Sequence, residues 1–248
     1  MKGNAKTIRS PSSILQVARL YRPTVEGVKK EVLELARATP SFNYSDLQKI
    51  IFHLLRGFAT YDQATGAIRS IGYQLKRDSY LRAFDPAWTY LKSLRHTYAL
   101  PIDTRFFAIS RDMRIPCIPP MVCGTPSGQV VPWLMYWKKN VLKEEQMALF
   151  LSMALEVMEN DAELDEARLV VVDTSDAALD PRGMPKTIDC HGLSRLNRGS
   201  LAKMLDTFVQ GFNLAVAEWN QSRPVQKERK QEIESTSQPL LFRLDEIN

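Results

Sequence analysis

Lys138 and Lys139 stand at the end of an apolar run, VVPWLMYW, and the acidic, glutamine-bearing segment EEQMALF begins five residues further on. Ammonium and guanidinium groups held at a sheet margin neutralise phosphate, and such contacts supply most of the sequence-independent affinity for a polynucleotide. Lys143, Arg105, Arg111 and Arg114 join the two lysines as a candidate phosphate-contacting set, which Gln146 would help to position. Trp133, Tyr136 and Trp137 interleave rings with these charges and carry two readings. They serve either as stacking surfaces for bases or as core packing, which is the commoner role of strand aromatics.

Hydrolysing a phosphodiester with magnesium asks for more: clustered carboxylates to hold the ion, and a lysine to orient the attacking water. The order Gly124-Thr125-Pro126-Ser127, then Val130 to Lys138, then Gln146-x-x-x-Phe150 resembles the RecB-like branch of the PD-(D/E)XK nuclease superfamily. The resemblance covers about residues 101–175. In that branch a Gly-x-x-Asp turn carries one metal ligand. A strand ending Asp/Glu-x-Lys carries the second ligand and the lysine, and a Gln-x-x-x-Tyr helix supports the site and contacts DNA. The resemblance assigns the lysine to Lys138 and the glutamine to Gln146. Phe150 replaces the tyrosine, Ser127 stands at the turn's aspartate, and Tyr136 stands two before the lysine. Ser and Tyr are neutral at pH 7 and do not hold magnesium. Asp103 is the nearby acid that echoes an upstream carboxylate.

The implied function is non-catalytic: a nucleic-acid-binding or scaffolding subunit of a DNA-processing assembly (replication, repair, recombination or mobile element), requiring no cofactor. Two alternatives stay open. One is an active magnesium-dependent nuclease drawing on Lys138, Asp103, Gln146 and Asp173. The other is a protein-interaction module without nucleic-acid binding, docking through its acidic segment or its tail.

The chain has 248 residues, 44% of them hydrophobic, and a net charge of +5. Charge is uneven: residues 144–180 hold eleven acidic residues and one basic, while 41–143 hold fourteen basic and six acidic. A basic first half suits a polyanion, or simply neutralises the acidic segment within the fold. Three unpaired-looking cysteines, Cys117, Cys123 and Cys190, fit reduced thiols in a cytoplasmic protein, and no apolar run is long enough to span a bilayer. Asp189-Cys190-His191 invites a nucleophile or zinc reading, but the short Cys-x-x-Cys pairs of zinc ribbons are missing. Asp173 closes LVVVD, a strand end where α/β proteins often place function and where Asp also serves as a turn former.

The expected class is α/β: a helical N-terminal region (1–100), then a small mixed sheet flanked by helices in a restriction-endonuclease-like core (101–221), then a flexible tail (222–248). Helices are expected from Val25 to Pro40, from Asn43 or Ser45 to about Phe58, and from Ser79 to Tyr98 with a kink or start at Pro86. Strands are expected at 105–109, 115–118, 129–137 and 169–173, with Pro132 marking an edge or a bulge. Helices follow at 144–160 and from a Ser200 cap onward. In the tail, Gln238-Pro239-Leu240-Leu241-Phe242 resembles the peptide with which bacterial proteins dock on the replicative sliding clamp, with Gln238, Leu241 and Phe242 matching. The alternative is that PLLFRL packs back on its own domain.

Overall fold

The computed structural model describes residues 8, 10–38, 44–135, 142–175, 179–180, 183–191, 193 and 195–222. The first hundred residues give α1 (Ile14–Leu20), α2 (Val25–Arg37), α3 (Ser45–Leu55), α4 (Tyr61–Arg69) and α5 (Gln74–Ser93). Then come β1 (Tyr98–Leu100), β2 (Arg105–Ser110), β3 (Met113–Cys117), β4 (Val122–Thr125) and β5 (Gly128–Met135). The chain continues with α6 (Glu144–Glu159), β6 (Arg168–Asp173), β7 (Lys186–Asp189) and α7 (Arg198–Gln221). The protein is thus of the expected α/β class.

Five strands form one mixed sheet in the order β1-β4-β5-β6-β7, and β2 and β3 form a separate hairpin. Among the described residues only β5 and β6 run parallel, from Val130↔Arg168 to Met135↔Asp173, with α6 in the crossover between them. Both strands are almost continuously apolar because both faces of the pair are covered. Val130, Leu134, Val170 and Val172 pack into a cluster with α3, α4 and α5. Val131, Trp133, Met135, Leu169 and Val171 pack on the opposite side with α1, α2, α6 and α7. The helical N-terminal portion is therefore no separate unit. It supplies layers on both faces of the sheet, and its last residues, 98–100, form β1.

Pro132 sits within β5 without breaking it. Its parallel partner is Val170, and the described β4 ladder reaches only as far as Val130, so the missing N–H falls where β4 no longer pairs. Pro86, expected to kink or start a helix, lies buried inside the continuous 20-residue α5. The helix α4, absent from the expected elements, is announced by a capping box. Thr60 Oγ1 accepts from the Gln63 N–H, and the Gln63 side chain accepts from the Thr60 N–H. The strand at 105–110, the long strand and LVVVD fall where expected. Strands β1, β4 and β7, of only three or four residues each, are not among the expected strands; β1 begins at Tyr98, where the expected helix ends, and β4 runs into the expected Gly124–Ser127 turn. The final helix is capped by Asn197, whose side chain accepts from the Ser200 N–H, and not by Ser200. Pro40 and Asn43 lie outside the described residues.

Helices α2 and α7 cross closely at Gly211, where an added Cβ would lie 2.6 Å from the Val25 carbonyl oxygen and 2.6 Å from Val28 Cβ. Alanine gains about 1 kcal/mol of helix propensity over glycine. Overpacking against a backbone oxygen costs about 1–3 kcal/mol and outweighs that gain. Gly211→Ala is expected to lower Tm by several degrees in a thermal melt. Gly66→Ala in α4, where nothing lies within 4 Å of the added carbon, is expected to leave Tm unchanged or raise it.

Candidate functional site

The parallel pair ends at Met135 and Asp173, side by side. Ligands of open α/β sheets gather at such carboxyl ends, because the connections diverge there and leave a crevice. The end is polar and tightly tied. The Thr174 N–H and Oγ1 donate to the Met135 carbonyl at 3.1 and 3.0 Å, and Asp173 Oδ1 accepts from the Ser175 N–H at 2.9 Å. Asp173, Thr174 and Ser175 are all buried, and Ser175 Oγ has no hydrogen-bond partner among the described residues. Across the sheet Asp173 faces Lys186, which is exposed on β7. The eight residues 136–143 join this end of β5 to the head of α6, where Lys143 is exposed. Thr174, Ser175 and Lys186 carry no signal of this role in the sequence, since Lys186 sits in a Pro/Gly/Asp-rich stretch without strand periodicity.

Gln146 holds a place in the fold unlike the one expected of a DNA contact. Its Oε1 accepts from the Lys143 N–H at 3.0 Å, the returning half of a capping box at the head of α6. Its Nε2 donates to the carbonyls of Arg19 and Tyr21, at 2.9 and 3.2 Å. Those carbonyls belong to the end of α1, so one amide joins two helix termini and is itself buried. Pointing into the protein, it is not presented to a phosphate. Phe150, one turn further along α6, is fully buried with its ring edge-on to Trp133, 4.9 Å between centroids. Trp133 is thus a core residue, and a tyrosine hydroxyl at 150 would be buried beside it.

The remaining predicted residues do not form one patch. Arg105 is committed to acids, bonding to Asp161 and, at 2.7 Å, to Glu163 beyond the end of α6. The hydrogen bond from Arg105 holds the Asp161 carboxyl below its ordinary range. Lys143 lies at the opposite end of the same helix, about 24 Å away at 1.5 Å per residue over 16 residues. Arg111 and Arg114 are exposed on the β2–β3 hairpin, Arg114 lying over the Phe106 ring at 5.7 Å. Asp103 is exposed on the connection leaving β1, with β4 between that strand and β5. Ser127 occupies the β4–β5 turn, at the start of β5. The strand's length puts it roughly 25 Å from the carboxyl end, so the turn and the strand end of the matched pattern do not share a site. Lys138, Lys139, Tyr136 and Trp137 lie outside the described residues, as do Gln238, Leu241 and Phe242.

The other constellations dissolve. Cys117, Cys123 and Cys190 are buried, and burial pushes their thiols up to about 12, 11 and 11. Thiols so protonated at neutral pH are poor nucleophiles. Among the described residues no three His, Cys, Asp or Glu side chains group as a metal site. His53 rests against Phe52 and Phe58, and a His96 ring nitrogen lies 3.1 Å from the Leu55 carbonyl.

Replacing Gln146 by Leu removes three internal hydrogen bonds and strands two helix-end carbonyls, a loss of about 1–3 kcal/mol. The expected outcome is a lower urea midpoint with DNA affinity unchanged under folding conditions. A fall in affinity without a fall in stability would return Gln146 to the binding surface.

No protein-family model matches the chain, and a search of the curated proteins finds no match for it.

Proposed function

We propose that the chain is a non-catalytic DNA-binding or scaffolding subunit of a DNA-processing assembly, built on a degenerate RecB-like nuclease core. The succession of β4, the Pro126-Ser127 turn, β5 and α6 supports the kinship, being the strand–turn–strand–helix order on which the resemblance rests. The observation that carries the functional reading is the furnishing of the sheet's carboxyl edge. The two parallel strands contribute one carboxylate, Asp173, and one of its oxygens is already held by the Ser175 N–H. A lone carboxylate binds magnesium weakly, because the ion keeps its waters unless several hard ligands replace them. Lys186 faces Asp173 at the edge, Lys143 is exposed at the head of α6, and Lys138 follows Met135 by three residues in the sequence. Ammonium groups so placed bind phosphate without supplying what hydrolysis requires.

Titrating duplex and single-stranded DNA by fluorescence anisotropy across a salt series tests the reading. Reversing Lys138 and Lys139 to Glu, or Lys143 and Lys186 to Glu, is expected to weaken binding about tenfold or more. The log–log salt slope should flatten by roughly 0.9 for each duplex phosphate that is no longer neutralised. Unchanged affinity and slope in both pairs would remove the reading. Magnesium-dependent cleavage abolished by Lys138→Ala would replace it with the active nuclease.

The proposal includes docking of Gln238, Leu241 and Phe242 on a sliding clamp, two apolar anchors on an extended segment being a common recognition mode. Deleting 236–248 is expected to abolish retention on immobilised clamp and to leave the DNA titration unaltered. Retention by the truncated chain would exclude the tail.

A further inference from the structure

A groove of about 590 Å³ runs between strand β2 and the last turn of α6. One wall is a strand edge. Pro116 has no N–H, so its pairing with Phe106 cannot be an exchanged hydrogen-bond pair, and the exchange must fall at Phe107↔Ile115 instead. The backbone N–H and C=O groups of Phe106 and Ala108 therefore point away from β3, on the side where the two-stranded sheet has no further strand among the described residues. Arg105 at one end and a register shift between Ala108 and Ser110 at the other guard this edge, and between them Phe106 to Ala108 carry neither proline nor charge. Phe106 is 52% exposed.

The other wall is acidic against local preference. Residues 156–166 hold six acids and no base, and of these Glu156, Asp161 and Glu163 line the groove, opposite Arg105. Glu156 and Glu159 lie in the final turn of α6, which has no basic residue. Carboxylates at a helix C-terminus oppose its dipole. Arg105 offsets Asp161 and Glu163, and Arg195 offsets Glu159. Glu156 is exposed and has no ion pair among the described residues. An uncapped sheet edge and an excess of negative charge, contradicting two stabilising rules in the same groove, share one remedy.

We infer that β2 is a docking edge for an extended cationic peptide from a partner protein, added as a third strand beside Phe106 and Ala108. Lysines or arginines at every second position meet Glu156, and Glu163 on the side not held by Arg105. Main-chain hydrogen bonds supply the affinity, and the acidic wall selects the charge. The occupant is a protein segment and not nucleic acid, which this wall repels. The inference goes beyond the DNA-binding reading and rests on different residues.

The test uses the full chain and a fluorescein-labelled heptapeptide alternating Lys and Val, read by anisotropy. Binding is expected to weaken at least tenfold with Glu in place of Lys. It is also expected to weaken at least tenfold when alternate peptide nitrogens are methylated, since N-methylation removes edge donors while keeping the charge. Glu156→Lys with Glu163→Lys, both exposed, should lose binding to the same extent, whereas Lys143→Glu with Lys186→Glu should not alter it. Absence of binding overturns the inference, as does equal binding of the methylated peptide, which marks simple polyelectrolyte attraction. Binding that appears only after residues 223–248 are deleted overturns it in favour of the chain's own tail. Binding that appears only when a dimer is diluted apart overturns it in favour of a second copy.

Discussion

A parallel pair of strands cannot face water on either side, and that constraint organises this molecule. The β5–β6 pairing needs a crossover, α6, and that helix covers only one face. The other face is closed by residues that precede the sheet in sequence, α3 to α5, through Leu47, Ile51, Phe84 and Leu91. Val131, Trp133, Met135, Leu169 and Val171 join one core, and Val130, Leu134, Val170 and Val172, at even positions, join the other. A shift of one residue in register would exchange the two sets wholesale. The helices on either side thus fix where the strand ends fall, and with them the polar cluster of Asp173, Thr174 and Ser175.

The head of α6 shows how one side chain serves folding where its sequence context suggests binding. A glutamine three residues after a helix start satisfies orphan backbone groups, and Gln146 does so for two helices at once. Its burial orients α1 against α6 and leaves Lys143 outside. Any contribution of this glutamine to a surface function is therefore made by placing its neighbours. A similar division holds at the other end of α6, where Arg105 balances acids that the helix dipole disfavours.

Long, strongly patterned segments were legible in the sequence. LVVVD, the run from Gly128 to Met135 and the helix at 144–159 have periodicities that tertiary packing reinforces. The short strands β1, β4 and β7 were not legible, because three or four residues carry too little pattern and their pairing partners are distant in the chain. Tyr98 to Leu100 continued a helical rhythm, and only pairing with Val122 to Gly124 makes it a strand. The candidate site was legible in half. Asp173 was visible as a strand end, but Lys186 becomes its neighbour through an antiparallel return that no local signal announces. Arg105 looked like a free phosphate contact because its acidic partners lie 56 and 58 residues away.

The close approach of α2 and α7 bears on how the chain is made. Val25 and Val28 meet Gly211, and Lys29 binds Glu218 at 2.8 Å, so the second helix waits for the last. During synthesis the sheet and α6 emerge with one side of their core still open. The apolar stripe of α2 stays uncovered until α7 clears the ribosome. The nascent protein therefore exposes this stripe to chaperones, and to aggregation, for as long as α7 is unmade.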